Sequence, residues 1–293
     1  MRLSLGTAQF GLDYGIANEK GKIQFKECKK ILEAAAIAGV DTIDTAINYG
    51  NSEECIGRIG VKKYKVVTKI PKIPSNVKKI GKWVDEQIFS SLDRLKQKNI
   101  YGVLLHNPMQ LLDNCGNNLY DALENLKKEN IVNKIGISIY SPSELDALTQ
   151  KFNFDIVQSP LNIIDNRIDK SGWLNILNSN GIEIHIRSAF LQGVLLMKKN
   201  DLPMFFKKNW PEIFDKWYEW HKENDTKPIE TCLSFLLSKS KIDKLIIGVD
   251  SFSQFEEILN TYKTLSIKDF PIIESKDEIL INPSKWYNGS KHN

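Results

Sequence analysis

Residues 41–55 read Asp-Thr-Ile-Asp-Thr-Ala-Ile-Asn-Tyr-Gly-Asn-Ser-Glu-Glu-Cys, and the chain is organised around them. Val40 to Ile43 has the short apolar character of a buried strand, and Asp44 closes it. Tyr49 follows in a loop that turns at Gly50. Ser52, Glu53 and Glu54 then read as a helix N-cap with acids in the first turn, where negative charge suits the helix dipole. A carboxylate therefore ends a strand, and a phenol hangs in the loop beside it. Each needs a partner, and two later strands offer them. Val66-Val67-Thr68 ends in Lys69, and Val103-Leu104-Leu105 ends in His106.

Working outward, short apolar runs alternate with helical periodicity. Strands are expected over 3–6, 40–44, 65–68, 101–105, 133–138, 155–158, 182–186 and 245–248. Helices are expected over 25–38, from 52, and over 80–96, 119–129, 142–151, 169–180 and 253–262. Ser141 stands as the N-cap of the 142–151 helix with Pro142 at its first position, and Gly181 stops the 169–180 helix. Strands alternating with helices, without an antiparallel pairing signal, mean a parallel sheet. Eight such units point to an α/β (β/α)8 TIM barrel forming one domain over 1–293. The rival is a doubly wound open sheet, which would carry a GxGxxG phosphate loop after its first strand. Gly6-Thr7-Ala8-Gln9-Phe10-Gly11 lacks that spacing. Two stretches break the rhythm. One is a long loop region, 191–227, with Phe205, Phe206, Trp210, Trp217 and Trp220. The other is a C-terminal tail, 264–293, with Trp286 and Tyr287.

Composition limits the function classes. The chain has 293 residues, 42% of them hydrophobic and 26% charged, which describes an ordinary globule with a large core. Its net charge of +4 is spread along the chain and argues against nucleic acid. No apolar run is long enough to span a membrane, and the N-terminus lacks a signal-peptide pattern. The four cysteines, Cys28, Cys55, Cys115 and Cys232, make no CxxC pair and read as reduced thiols of a cytoplasmic protein. The four histidines, His106, His185, His221 and His292, show no metal-ligand spacing, so no metal is expected. His185 lies mid-strand and reads as a satisfied barrel histidine. No heptad or apolar helix face demands an oligomer, so a monomer or weak homo-oligomer is expected.

The strand-end residues suit one chemistry. Reducing a carbonyl delivers hydride to carbon and a proton to oxygen. A free phenol, with a pKa near ~10, donates sluggishly, and a nearby ammonium would make it a better acid. A carboxylate can hold that ammonium, and an imidazole can orient the carbonyl. The string Asp44-Thr45-Ala46-x-x-Tyr49-Gly50-x-Ser52-Glu53, followed by Thr68-Lys69 and Leu104-Leu105-His106, resembles the catalytic tetrad of the aldo-keto reductases. The resemblance runs from Leu5-Gly6-Thr7 to the region of Gly248. It implies Tyr49 as the acid, Lys69 and Asp44 as its tuners, and His106 as the orienting group. It also implies an NAD(P)H-dependent oxidoreductase that reduces an aldehyde or ketone.

The same resemblance extends to a cofactor, NADPH by family habit or NADH. Gly136-Ile137-Ser138-Ile139-Tyr140 is similar to the family's Gly-x-Ser-Asn segment at the nicotinamide amide, with Ile139 in place of the Asn. Gln158 matches a glutamine at the same amide, and Asn162 and Arg167 match residues that shape the next loop. The stretch from Arg187 and Ser188 through Phe190, Gln192 and Gly193 resembles the pyrophosphate loop, with Arg187 where an aromatic usually stacks on the nicotinamide. Gly248, Asp250, Ser251, Gln254 and Glu257 resemble the adenosine site, with Ile258 in place of an Asn. No Lys or Arg lies between Gly248 and Gln254 to meet a 2′-phosphate, and Asp250 would suit a free 2′-hydroxyl instead.

Barrel-mouth loops should line the pocket for a small carbonyl substrate. Phe10, Asp13, Tyr14, Asn48 and Asn107 are the candidates, along with aromatics of 191–227 or the tail. Asp13, Asn48 and Asn107 make a polar set that would favour a sugar-derived carbonyl. The alternative reading is a non-catalytic subunit that senses the cofactor, although such a sensor needs no acid. A phosphate-binding isomerase or a metal-dependent hydrolase on the same barrel has less support, because no metal-ligand spacing is present.

Overall fold

Eight apolar runs become eight strands: β1 (Leu3–Gly6), β2 (Thr42–Asp44), β3 (Lys65–Ile70), β4 (Ile100–Leu105), β5 (Val132–Ser138), β6 (Ile156–Pro160), β7 (Glu183–Arg187) and β8 (Lys244–Ile247). In this computed structural model, which describes residues 1–286, the strands are all parallel and close into a barrel in chain order, with β8 returning to β1. The helices are α1 (Ala8–Gly11), α2 (Phe25–Ile37), α3 (Ser52–Ile59), α4 (Ile80–Leu95), α5 (Gly116–Lys128), α6 (Ser143–Leu148), α7 (Arg167–Lys170), α8 (Trp173–Ser179), α9 (Met204–Asn209), α10 (Pro211–Asn224), α11 (Pro228–Leu237), α12 (Phe252–Thr264) and α13 (Glu278–Ile281). The larger ones lay an apolar stripe on the strands. On α4 that stripe is Val84, Ile88, Leu92 and Leu95, all buried. Each fully buried side chain of this kind contributes about 1.5–3 kcal/mol.

Strand alternation sorts the barrel interior into layers. Val67, Leu104 and Ile156 form a small apolar cluster separate from the main core. Two residues further along the same strand faces come Lys69 and Gln158, beside Asp44, Ser138 and Arg187. Two residues back on β3 comes Lys65, and on β7 Glu183, level with Ile156, accepts hydrogen bonds from Tyr101 (2.6 Å) and Lys134 (2.7 Å). The apolar layer therefore plugs the barrel and leaves the polar residues at its C-terminal mouth.

Several elements depart from the sequence expectation. The 169–180 helix is two helices, because Gly172 takes the left-handed φ of 83° between α7 and α8. The 142–151 helix shortens to α6, and its start is held by Glu144, whose carboxylate accepts from the backbone N–H of Tyr140 (2.7 Å) and Ser141 (2.8 Å). Ser52 is the first residue of α3 and caps nothing. Its hydroxyl donates to Thr7 instead. The long loop region 191–227 is largely helical, holding α9 and α10. Its aromatics pack on one another: Phe206 lies 5.7 Å from Phe214 and 5.0 Å from Trp286, and the Trp217 indole N–H donates to the Leu195 carbonyl. Hydrophobic packing claims them, and none of them lines the central cavity described below. Tyr287 and His292 lie outside the described residues. His185 is only half satisfied. Its Nε2 meets Glu183 at 3.3 Å, while its buried Nδ1 finds no partner among the described residues.

Candidate active site

β2 ends on Asp44 and β3 carries Lys69, and the register Asp44↔Val67 places both on the inner face of adjoining strands. The Lys69 ammonium donates to both Asp44 oxygens, at 2.7 and 2.8 Å, and to the Thr45 carbonyl at 2.8 Å. Lys69 is fully buried. Burial pulls its pKa below that of a free lysine, and Asp44 opposes the fall. From β6, Gln158 Nε2 donates to Asp44 Oδ1 at 2.7 Å, and from β5 Ser138 donates to Gln158 Oε1 at 3.2 Å. Ser138 and Gln158 thus brace the ion pair. Ser138 stands behind Gln158, away from the cavity lining, and the Gln158 amide is already engaged on both sides.

Tyr49 arrives from the β2–α3 loop. The loop is held by backbone contact between Gly11 and Gly50. Gly50 has a φ of +55°, and a Cβ at Gly11 would stand 1.8 Å from the Tyr49 carbonyl oxygen. Behind the loop, Glu53 is buried. It accepts from Thr68 (2.6 Å), Ser91 (2.6 Å) and Arg94 Nε (2.8 Å), which ties α3 to β3 and α4. Reading Glu53 only as a first-turn acid missed this clamp. Its signal was adjacency to the Tyr49–Ser52 string, but the partners come from distant helices.

The four candidate catalytic residues meet at one place. Lys69 Nζ lies 5.0 Å from the centre of the Tyr49 ring. The His106 ring stands edge-on to Tyr49, with centroids 6.0 Å apart. The electrostatics differ from the sequence expectation. Burial pushes the Tyr49 phenol up from its ordinary value, the Asp44 charge adds to this, and Arg187 opposes it. Lys69 does not offset that rise. Burial, with Lys69 and then Arg187 adding to it, pushes His106 down to about 4, so its imidazole is neutral at pH 7.

Beside Tyr49 opens a cavity of about 860 Å³, part of it open to solvent. Its lining includes Tyr14, Asp44, Tyr49, Gln158, Arg187, Ser188, Phe190, Gln192, Gly193, Gly248, Asp250 and Gln254. The loop after β7 is wound tightly: Ser188, Leu191 and Gln192 take positive φ values of 63°, 48° and 52°, and Gly193 follows at 89°. For non-glycine residues this costs on the order of 1–2 kcal/mol each, and such strain clusters at ligand sites. Gln192 ties this loop to the one after β1, accepting from Ile16 N at 3.3 Å and donating to the Tyr14 hydroxyl at 3.2 Å.

Other expected residues sit elsewhere. Phe10 is buried in the hydrophobic core, because α1 turns its apolar side inward. Asp13 is exposed and accepts the Lys22 N–H at 2.6 Å, closing a turn at Gly21. Asn48 is exposed beside Tyr49, and Asn107 precedes a short turn at Pro108–Leu112; neither lines the cavity. Ser251 caps α12 by accepting from Gln254 N, and Glu257 is exposed on that helix. Asn162 and Arg167 act on loops: Asn162 donates to the Ser188 carbonyl at 3.1 Å, and Arg167 pairs with Asp165 at 2.8 Å. Gln9 lines the cavity and was not foreseen. A Cβ on Gly248 would stand 2.9 Å from its amide, and it hydrogen-bonds Asp250, whose carboxyl is pushed up by burial. Its only signal was its position just after β1. Among the described residues, no group of three or more His, Cys, Asp and Glu is placed to hold a metal ion, and no helix is long and apolar enough to cross a membrane.

Comparison with known proteins gives a consistent picture. The model of the Aldo/keto reductase family matches residues 2–278. An uncharacterized oxidoreductase of Schizosaccharomyces pombe is 24% identical over 278 residues, covering 91% of each chain. The uncharacterized oxidoreductase YqkF of Bacillus subtilis is 24% identical over 246 residues, covering 78% of this chain and 79% of its own. Among solved structures, the holo form of an aldo-keto reductase from Bacillus halodurans superposes with a TM-score of 0.71 at 17% identity, covering 91% of this chain and 88% of that one. A glycerol dehydrogenase from Gluconobacter oxydans gives 0.67 at 20% identity, covering 92% and 88%.

Proposed function

The chain belongs to the aldo/keto reductase family, and from that premise we propose that it is a nicotinamide-dependent oxidoreductase that reduces an aldehyde or ketone with Tyr49 as proton donor. The observation that carries this reading is the convergence of Asp44, Lys69, Tyr49 and His106 at the C-terminal end of the strands, with Asp44 and Tyr49 lining the adjoining cavity.

The cavity fits a dinucleotide. Its wall is stripped of side chains at Gly6 and Gly248, where a Cβ would crowd Ile246 and the Gln9 amide. Ser188, Phe190, Gln192 and Gly193 would hold the pyrophosphate on the tightly wound loop. Gly248, Asp250 and Gln254 would border the adenosine. When bound, the reduced cofactor supplies the hydride. No Lys or Arg lies between Gly248 and Gln254, and the Asp250 carboxylate opposes a 2′-phosphate, which favours NADH over NADPH.

The chain's own residues handle the proton. A phenol whose pKa is held up by burial stays protonated until negative charge develops on the substrate oxygen. It then donates, and the resulting phenolate has the Lys69 ammonium nearby, 5.0 Å from the ring centre. The braced Asp44–Lys69 pair keeps that ammonium in place. Neutral His106 can donate one N–H to the carbonyl without competing for the proton. Asp13, Asn48 and Asn107, on which the expectation of a sugar-derived substrate rests, lie outside the lining of this cavity.

The test is titration of the purified protein with NADH and NADPH by tryptophan quenching, followed by turnover on a panel of aldehydes, ketones and keto-sugars. Binding with turnover supports the reductase. Binding without turnover on any carbonyl moves the reading to a cofactor sensor, and no binding of either cofactor overturns both.

A further inference from the structure

We infer that Arg187 is a substrate-recognition residue: its guanidinium holds an oxyanion group, a carboxylate or a phosphate, carried by the carbonyl substrate. This rests on the reductase reading above.

Arg187 ends β7 on the inner face of the barrel and lines the cavity with Tyr49. A guanidinium has five N–H donors and no acceptor. Here Nη2 donates to the Ile139 carbonyl at 2.9 Å, and Nη1 donates to Ser188 Oγ at 3.3 Å. The Tyr140 ring covers one face, with its centre 4.6 Å from the guanidinium carbon. All three neighbours are neutral. They fix the fork in place and leave further N–H groups for another acceptor.

The other charges around the mouth are already matched. Lys69 is paired with Asp44 at 2.7 Å, and Arg167 with Asp165 at 2.8 Å. Asp250 belongs to the Gly248 part of the wall, where Gln9 hydrogen-bonds it and Lys20 is the cation that acts on it. Among the described residues, no carboxylate lies within 4.0 Å of Arg187. A half-buried cation without a counter-ion is costly unless a ligand supplies one. The position is close to Tyr49, because both side chains line the same cavity, and the Arg187 charge lowers the proton affinity of that phenol. An oxyanion on Arg187 would therefore set the carbonyl of the same molecule beside the phenol. It would also cancel the field that loosens the phenol's proton before transfer. Charge-assisted pairing of this type typically contributes ~1.5–3 kcal/mol, a factor of roughly 10–150.

The experiment uses matched substrates: succinic semialdehyde against its methyl ester, and glyceraldehyde 3-phosphate against glyceraldehyde. The parent, Arg187→Lys and Arg187→Gln are compared by kcat/KM, with cofactor affinity measured in parallel by quenching. In the parent, the charged member of one pair should lead by roughly 10-fold or more. The pair that shows it identifies the source of the oxyanion. Arg187→Gln should bring that ratio to near one, mainly through KM, and Arg187→Lys should restore part of it. A parent ratio near one for both pairs overturns the proposal, as does a ratio that survives Arg187→Gln. Equal losses in cofactor affinity and in both members of each pair assign Arg187 to the cofactor instead and also overturn it. If the parent binds neither NADH nor NADPH, the reductase reading has failed on its own. Calorimetric titration with succinate and with inorganic phosphate then decides the subsite: binding lost in Arg187→Gln supports it, and no binding to the parent overturns it.

Discussion

Lys69 reaches both carboxylate oxygens of Asp44, at 2.7 and 2.8 Å, at the centre of the barrel mouth. The contact gives the buried ammonium its counter-ion next to Tyr49 and makes the two residues a structural unit of the barrel mouth.

The first prediction concerns that pair. Asp44→Asn leaves a buried ammonium without its counter-ion, which typically costs ~3–5 kcal/mol. Urea denaturation should show a loss of this order. The double change Asp44→Leu with Lys69→Met should be more stable than Asp44→Asn. Equal stability of parent and Asp44→Asn would show that the pair is not desolvated as described.

Tyr49→Phe removes only the hydroxyl. Carbonyl reduction should fall by at least ~10²-fold, the usual worth of a positioned acid, while cofactor quenching stays within a few-fold of the parent. Turnover near the parent rate would remove Tyr49 from the mechanism.

Stability should decline with acid well before the carboxylates titrate. His106 and His221 both have folded pKa values of about 4, set mainly by burial, against an unfolded value near ~6.5. Between those values the unfolded chain binds more protons, so stability is full above about 6.5 and falls as pH drops toward about 4. Urea midpoints at pH 7 and pH 5 measure the slope. His221→Asn should flatten it, and a parent profile level across that window would contradict the assignment.

Glu53 accepts from Thr68, Ser91 and Arg94 at 2.6–2.8 Å while buried. Glu53→Ala should cost about 1–3 kcal/mol by stranding the buried Thr68 and Ser91 hydroxyls and releasing Arg94. It should also lower turnover by loosening the start of α3, next to the Tyr49 loop. A melting temperature within a degree of the parent would contradict this.

Gln254→Arg places a cation beside Asp250 and the proposed adenosine wall. The ratio of NADPH to NADH affinity should rise by roughly tenfold, about 1.4 kcal/mol. An unchanged ratio in quenching titrations would show that this loop does not face the 2′-position.

The sequence alone determined the eight parallel strands and their closure, because apolar periodicity and helical crossovers are local properties that leave few topologies. It also placed Asp44, Lys69 and His106 at successive strand ends, since β/α barrels put those ends at one mouth. Tertiary structure decided what local pattern does not encode, namely which side chains meet across elements. Glu53 reads as a first-turn acid until Ser91 and Arg94 arrive from α4. Phe10 and the aromatics of 191–227 read as pocket residues until core packing claims them. Gln9 carries no signal until Gly248 lets its amide approach Asp250. The Tyr49 phenol reads as activated by Lys69 until burial, with the Asp44 charge beside it, is seen to hold its proton. Burial and pairing arise between strands and helices far apart in the chain, and only the closed barrel sets them.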